Sequence, residues 1–405
     1  MKPTIQIKKM PVIIAAISAA VILTTLITVK ILSRNTLKIA FYDIPDSVKN
    51  SLQKNIQSID NKKIKFETLD KKKSLSKSAA KNYSIIFAPH SLSLKELAPL
   101  SAHPEAVTYL PQNIQKSTRT LERSTESGGV ELTVSNYALP VLLDHFELAV
   151  YKTYRDQLSL KNPQTLKQFS DYLQNVKQNA SYPLVVIGSD DKELWGFVSA
   201  LCQSIYSADE YIELCDELYK AQKINSELPY KIRVILDEIK KMQHAELIHP
   251  TWTQLTVKDA ERLMKEHHIG ILATYLSTHR QLPYVLVKYY DATIFPQADV
   301  KSNFGVIIPE ICAAAFYKNR GTLDERTQNI LTHLVTAEMQ AELSKETLLG
   351  PAASLGESSD SIADDVRFYA AASPAGPLMP MDSSSFTNPS QAHKYADMIR
   401  AYVAE

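Results

Sequence analysis

Two pairs of neighbouring residues hold most of the catalytic potential of this chain, Asp190-Asp191 and His267-His268. Cleaving a glycosidic bond takes two carboxyl groups that face each other across it. Side chains of adjacent residues do not face one another in that way, so Asp190-Asp191 supplies no such pair. His267 and His268, adjacent on an expected helix, cannot both point at one metal ion, and no H-E-x-x-H or zinc spacing occurs. A nucleophile elbow of the form G-x-S-x-G is also missing. Ten glycines in 405 residues form neither a phosphate loop nor a dinucleotide fingerprint. The expectation is a protein that binds without catalysing: no enzyme, no cofactor and no metal.

Recognition chemistry is better represented. Rings and short polar side chains recur where apolar, strand-like runs stop. Tyr42-Asp43 ends one run, Pro89-His90-Ser91 another. Ser189-Asp190-Asp191 ends a third, with Trp195 in the following helical turn, and Tyr275, Ser277 and Thr278 end a fourth. Trp252 lies in HPTWTQ, a loop before a helix. Asp144-His145 divides two apolar runs in NYALPVLLDHFELAVYK. Rings offer platforms, and carboxylates, hydroxyls and imidazoles offer hydrogen bonds. The candidate ligand-binding residues are therefore Tyr42, His90, Asp144, Asp190, Trp195, Trp252 and Tyr275. Each has a plainer use. Trp195, Trp252, Tyr42 and Tyr275 fit a core, Asp190 and Asp191 fit a helix cap, and His90 fits a structural role. Asp144 and His145 fit either a cleft floor or the satisfaction of hinge backbone.

The elements that must position these residues alternate. LKIAFYDI, KIKFETL and NYSIIFAPH read as strands, with the amphipathic helix PDSVKNSLQKNI after the first. EAVTYLP and GGVELTVSNYALPVLL read as further strand-like runs. The pattern restarts after residue 145 with the helix NPQTLKQFSDYLQNVKQN and the strand YPLVVIGSD. Helices from DKELWGFVSALCQSIY onward follow, then the strands IGILATYLS, PYVLVKYYDATIFP and SNFGVIIPEICAAAFYK. RTQNILTHLVTAEMQAELSKET reads as one long helix closed by Gly350-Pro351. The stretch 370–389 reads as a surface wrap before a terminal helix. Strands alternating with helices imply an α/β fold. The expected organisation is two lobes joined by a hinge. Residues 37–145 and 276–335 form the first lobe, and 146–275 and 336–405 the second, with the return crossing near Gly270 to Tyr275. Ligands of such sheets sit beyond the carboxyl ends of the strands.

Residues 1–34 form a separate unit. Lys2, Lys8 and Lys9 precede PVIIAAISAAVILTTLITV, 19 residues without a charge, and Lys30 and Arg34 close it. This is an N-terminal transmembrane or signal helix, read as an uncleaved anchor over 11–29, with a secretory signal as the competing reading. Either way the folded part lies in the periplasm or on the outer face of the cytoplasmic membrane. A net charge of +1 supplies no field that would select nucleic acid. Cys202 and Cys215 are placed either to pair or to remain thiols, and Cys312 is left over.

The order of several short motifs resembles the extracellular solute-binding proteins of carbohydrate ABC transporters, family 1. Tyr137-Ala138-Leu139-Pro140 and Val150-Tyr151-Lys152 match its paired strands, and Pro163-Gln164-Thr165 its helix start. Thr336, Glu338 and Gln340 match its late helix, and Gly350-Pro351-Ala352 matches the segment after it. The likeness spans residues 37 to 405. An Asn usual after the tyrosine is Lys152, and a usual glycine-tryptophan motif reads TYLSTHR. The resemblance implies a two-lobed periplasmic-binding-protein-like fold and capture of a solute, a sugar or oligosaccharide, by hinge closure. It implies delivery to ABC permease subunits by a monomer. A membrane-tethered sensor or interaction ectodomain that keeps this fold without transport is the alternative.

Overall fold

The computed structural model describes residues 36–60, 63–70, 75–124, 131–224, 227–298, 305–317, 323–353, 355–373, 378–386 and 388–405. The apolar segment 11–29 lies outside the described residues. Among those described, no helix is long and apolar enough to cross a membrane.

Eight strands carry the architecture: β1 (Leu37–Tyr42), β2 (Ile64–Leu69), β3 (Ile85–Ala88), β4 (Leu139–Tyr151), β5 (Tyr182–Val186), β6 (Ile269–Tyr275), β7 (Tyr290–Ile294) and β8 (Ile307–Phe316). The first lobe orders them β2-β1-β3-β8-β4, with the first three parallel and β8 antiparallel to both its neighbours. The second orders them β5-β6-β4-β7, with β5 and β6 parallel and β4 antiparallel to β6 and β7. Helix α1 (Asp46–Ile59) shows why these segments fold as they do. Val48, Leu52 and Ile56 recur at helical spacing and are the face it buries on the first sheet.

One strand belongs to both lobes. All 13 residues of β4 are buried. Its first half pairs with β8, Ile307 opposite His145 and Ile308 opposite Asp144. Its second half pairs with β6, from Phe146 opposite Tyr275 to Val150 opposite Ile271. The two apolar runs around Asp144-His145 are thus a single strand, and the polar pair marks where it passes from one sheet to the other. Apolar side chains on both faces of both halves keep it continuous.

The chain crosses between lobes twice more, and both crossings correct the expected boundaries. After β6 it remains in the second lobe. Helix α2 (Asp191–Ile205) packs there against β6, and β7 adds to that sheet through Tyr290 opposite Tyr151. The return therefore falls between Phe295 and Val306, not near Gly270 to Tyr275. Gly305 serves it with φ +101, a conformation side chains disfavour, within 3.0 Å of His145 Nε2 at its would-be Cβ. Residues 282–294 thus pack with the second lobe, while Leu276 enters the first core and Arg280 pairs with Asp360. Residues 336–372 pack with the first, because Gly350 pairs with Leu143 and Leu343, Ala352 and Val366 enter its core. Only after residue 373 does the chain rejoin the second lobe, through the short helix α3 (Met381–Ser385) and the terminal helix α4 (Pro389–Ala404).

Local differences have local causes. Glu105–Tyr109 is a 3-10 helix rather than a strand. The expected long helix is two, Glu325–Leu334 and Ala337–Thr347, because the Thr336 hydroxyl caps the second. PYVLV forms a turn of helix before β7. All three cysteines are buried free thiols, so Cys202 and Cys215 are unpaired by disulfide.

Gly196 on α2 sets how closely that helix meets the sheet. A Cβ there would fall 2.6 Å from Phe146 and 2.7 Å from Tyr275. Only a bare backbone lets α2 settle against β4 and β6, and this approach brings its first turn to the edge of the cleft.

Candidate ligand-binding site

A cavity of ≈ 770 Å³ lies between the lobes. The first lobe contributes the carboxyl ends of β1, β2 and β3, with Tyr42, Asp43 and His90. The second contributes the first turn of α2, with Asp190 to Glu193 and Trp195. Asp382 and Ser383 of α3 and Pro389 of α4 close that side, and Ser277, Thr278 and Glu310 form the floor.

Lys192 organises the floor. Its ammonium donates to Glu310 Oε2 at 2.6 Å, Asp144 Oδ2 at 3.2 Å and Ser277 Oγ at 3.4 Å. It also lies 4.6 Å from the centre of the Tyr275 ring. Asp144 is fully buried and accepts in addition from the Ser277 N–H at 3.0 Å, the Ser277 hydroxyl and its neighbour His145 N–H. Burial alone would lower the Lys192 pKa. The charges of Glu310 and Asp144 outweigh it and hold the value above the ordinary lysine range. Burial raises the Glu310 pKa, and Asp144 adds to the rise while Lys192 opposes it. Lys192 sits on the second lobe and Glu310 on β8 of the first, so this ion pair ties the lobes together at the base of the cleft.

Glu193, next on α2, is anchored on β6. Its carboxylate receives the Thr274 hydroxyl at 3.0 Å and the Tyr275 N–H at 3.3 Å. Burial pushes its pKa from 4.5 up to about 8, so the folded protein keeps it protonated at neutral pH. A carboxyl raised in the folded state stabilises fully below its unfolded value and loses that contribution as pH rises through the folded one. Glu193→Gln, which retains the acceptor, is therefore expected to gain on the parent as pH rises from about 4.5 to about 8. The difference reaches a few kcal/mol and then levels off. Urea unfolding across that range measures it, and a pH-independent difference would show that the carboxyl is already ionised in the fold.

The seven candidates separate into three groups. Tyr42, His90, Asp190 and Trp195 line the cavity. Of these, Asp190 is also the N-cap of α2, accepting from the Lys192 and Glu193 N–H groups at 2.8 and 3.2 Å. His90 Nε2 lies 3.0 Å from both the Ser117 carbonyl and the Tyr137 hydroxyl, and burial lowers its pKa to about 4, so it is neutral. Trp195 is 0% exposed, packed on Phe386 with ring centres 5.4 Å apart. Asp144 lies beneath the floor and reaches the cleft through Lys192 and Ser277. Trp252 and Tyr275 are corrections, because neither reaches the wall. Trp252 meets Phe197 edge-on in the second core, and Tyr275 meets Phe146 edge-on beneath Lys192.

Sequence reasoning passed over Lys192, Glu193, Glu310 and Asp382. The available signal was a lysine and two acids in the first turn of a helix that starts at a strand end. Asp382 and Glu310 gave none, since they arrive from segments more than a hundred residues away. Among the described residues no group of His, Cys, Asp and Glu is placed to hold a metal ion.

No protein-family model matches the chain, and no curated protein matches it. Solved structures do. The bacterial solute receptor AcbH, described as having an exclusive preference for β-D-galactopyranose, superposes with a TM-score of 0.66 at 12% identity, over 90% of this chain and 96% of its own. The putative binding protein MsmE of Bacillus subtilis, in an open conformation, gives 0.68 at 13% identity over 92% and 93%. A sugar transporter of Bacillus licheniformis in complex with stachyose gives 0.63 at 15% over 91% and 98%. Nearly the full length of each chain is shared, at identities where only the fold is retained. The chain thus has the two-lobed α/β fold of the bacterial solute-binding receptors.

Proposed function

We propose that this chain is the extracytoplasmic solute-binding component of an ABC importer. It captures a saccharide between its lobes and hands it, as a monomer, to permease subunits in the cytoplasmic membrane. The observation that carries this reading is the cleft: ≈ 770 Å³, shared by both lobes and lined by carboxylates, hydroxyls and aromatic edges. That volume suits a small oligosaccharide, and that mixture suits hydroxyl-rich solutes. Three crossings between the lobes allow hinge closure, and a solute that touches both lobes favours the closed form by its extra contacts. The binding of stachyose, and of raffinose by the receptor RafE, by proteins of the same fold supports the saccharide class. The apolar segment 11–29 supports a place outside the cytoplasm, anchored at the membrane surface.

The full chain in mild detergent is to be unfolded thermally against mono- and oligosaccharides, with amino acids and peptides as controls. A ligand at 100 times its dissociation constant adds roughly 2.7 kcal/mol of stability. A rise with one saccharide class is expected, and a rise only with peptides or amino acids would replace the ligand class. The segment 11–29 also favours a second reading, a tethered sensor ectodomain. Co-purification of permease subunits with the full chain separates the two: their presence supports import, and their absence beside saccharide binding supports the sensor.

A further inference from the structure

The cleft holds more negative charge than its own cations neutralise. Six of the described residues that line it are acids, Asp43, Asp190, Asp191, Glu193, Glu310 and Asp382, of which Glu193 is held protonated, while Lys192 is the one lysine and no arginine is among them. Most of the acids are engaged. Asp190 caps α2, and Asp191 meets Arg400 at 2.6 Å and His393 at 2.7 Å. Glu310 and the buried Asp144 share Lys192, which leaves two carboxyl groups on one ammonium. Asp382 differs. The backbone N–H groups of Asp382 and Ser383 serve its carboxylate and hold its pKa down, yet its Oδ1 is buried with no hydrogen-bond partner among the described residues. Burial raises its pKa only to about 6, so it is mainly ionised at neutral pH. On the same wall Trp195, wholly buried, has an Nε1–H with no acceptor among the described residues. A carboxylate oxygen withdrawn from water without a donor is costly, and a ligand that supplies a cationic donor relieves that cost.

We propose that the solute carries a positive charge: an amino sugar, free or within an oligosaccharide, whose ammonium group is received by Asp382 while its hydroxyls meet the neutral groups of the cleft. The inference rests on the saccharide reading above. An anionic sugar fits poorly, since Lys192 is already committed to two carboxylates and no arginine among the described residues reaches the wall.

The test is thermal unfolding and titration calorimetry of the full chain in mild detergent at neutral pH. Glucosamine, galactosamine and oligosaccharides of glucosamine are compared with their N-acetylated counterparts, at low and high salt. The amino forms are expected to bind about tenfold or more tighter, to lose affinity with added salt, and to lose their advantage in Asp382→Asn. Equal or tighter binding of the N-acetylated forms by the unaltered chain would overturn the charge inference and leave the saccharide reading intact. That comparison does not depend on the variant folding. Stabilisation by no saccharide, amino or neutral, would overturn both.

Discussion

Lys192→Met is expected to destabilise the protein by about 3–5 kcal/mol at neutral pH. The substitution keeps the length of the side chain and much of its contact with Tyr275, but removes the ammonium shared by Asp144 and Glu310. Two buried carboxyl groups would then face each other without a cation. Removing one partner of a buried ionic group leaves the other's desolvation uncompensated, which is why the loss exceeds that of an exposed pair. The pH dependence identifies the cause. The variant relieves the repulsion by taking up a proton, so its deficit should shrink as pH falls below the neutral range and widen above it. Urea unfolding at mildly acidic and mildly alkaline pH reads both. A deficit that is constant with pH would mean lost packing rather than lost charge. The same ion pair joins α2 of one lobe to β8 of the other, so Lys192→Met should also favour the open form, visible as an increased radius of gyration in small-angle scattering.

Trp195→Ala is expected to cost about 3–5 kcal/mol, because the ring is wholly buried between the cleft wall and the second core. Truncation leaves a void beside Phe386 and α4, and loss of ligand binding in that variant would not distinguish a binding residue from a structural one. Trp195→Phe makes the distinction. It keeps an aromatic ring against Phe386 and removes the Nε1–H that lacks a partner among the described residues, together with the smaller part of the ring system. Its stability should fall by much less than that of the alanine variant. If the indole N–H serves the solute, affinity should still drop by several-fold. Unchanged affinity in a stable Trp195→Phe protein would assign Trp195 to the core alone.

Much of the fold was legible because its signals are local. The alternating strands and helices from LKIAFYDI to IGILATYLS follow from runs of apolar residues at periods of two and 3.6, and from caps such as Asp190 and Thr165. The polar interruption at Asp144-His145 falls where β4 passes from one sheet to the other, and one strand rather than two makes that passage. The later crossings were misplaced, because β7 and Gly350-Pro351 carry no mark of which sheet they join. That choice depends on which edge is open once both lobes have formed.

The site was legible only at strand ends. Tyr42, His90, Asp190 and Trp195 line the cavity, and the carboxyl end of a parallel strand is a place defined along the chain. Trp252 and Tyr275 satisfied the same rule and lie in the core instead, since the pattern records that a ring is apolar but not which side of the wall it fills. By itself the sequence determined the α/β composition, the two-part division, the strand ends and the capped start of α2. Tertiary structure alone decided that Lys192 meets Asp144 and Glu310, that Glu193 is buried with a proton, and that Asp382 returns to the wall. The Lys192 contacts join residues 48 and 118 positions apart, and charge, burial and partner become physical quantities only when both ends have been brought together.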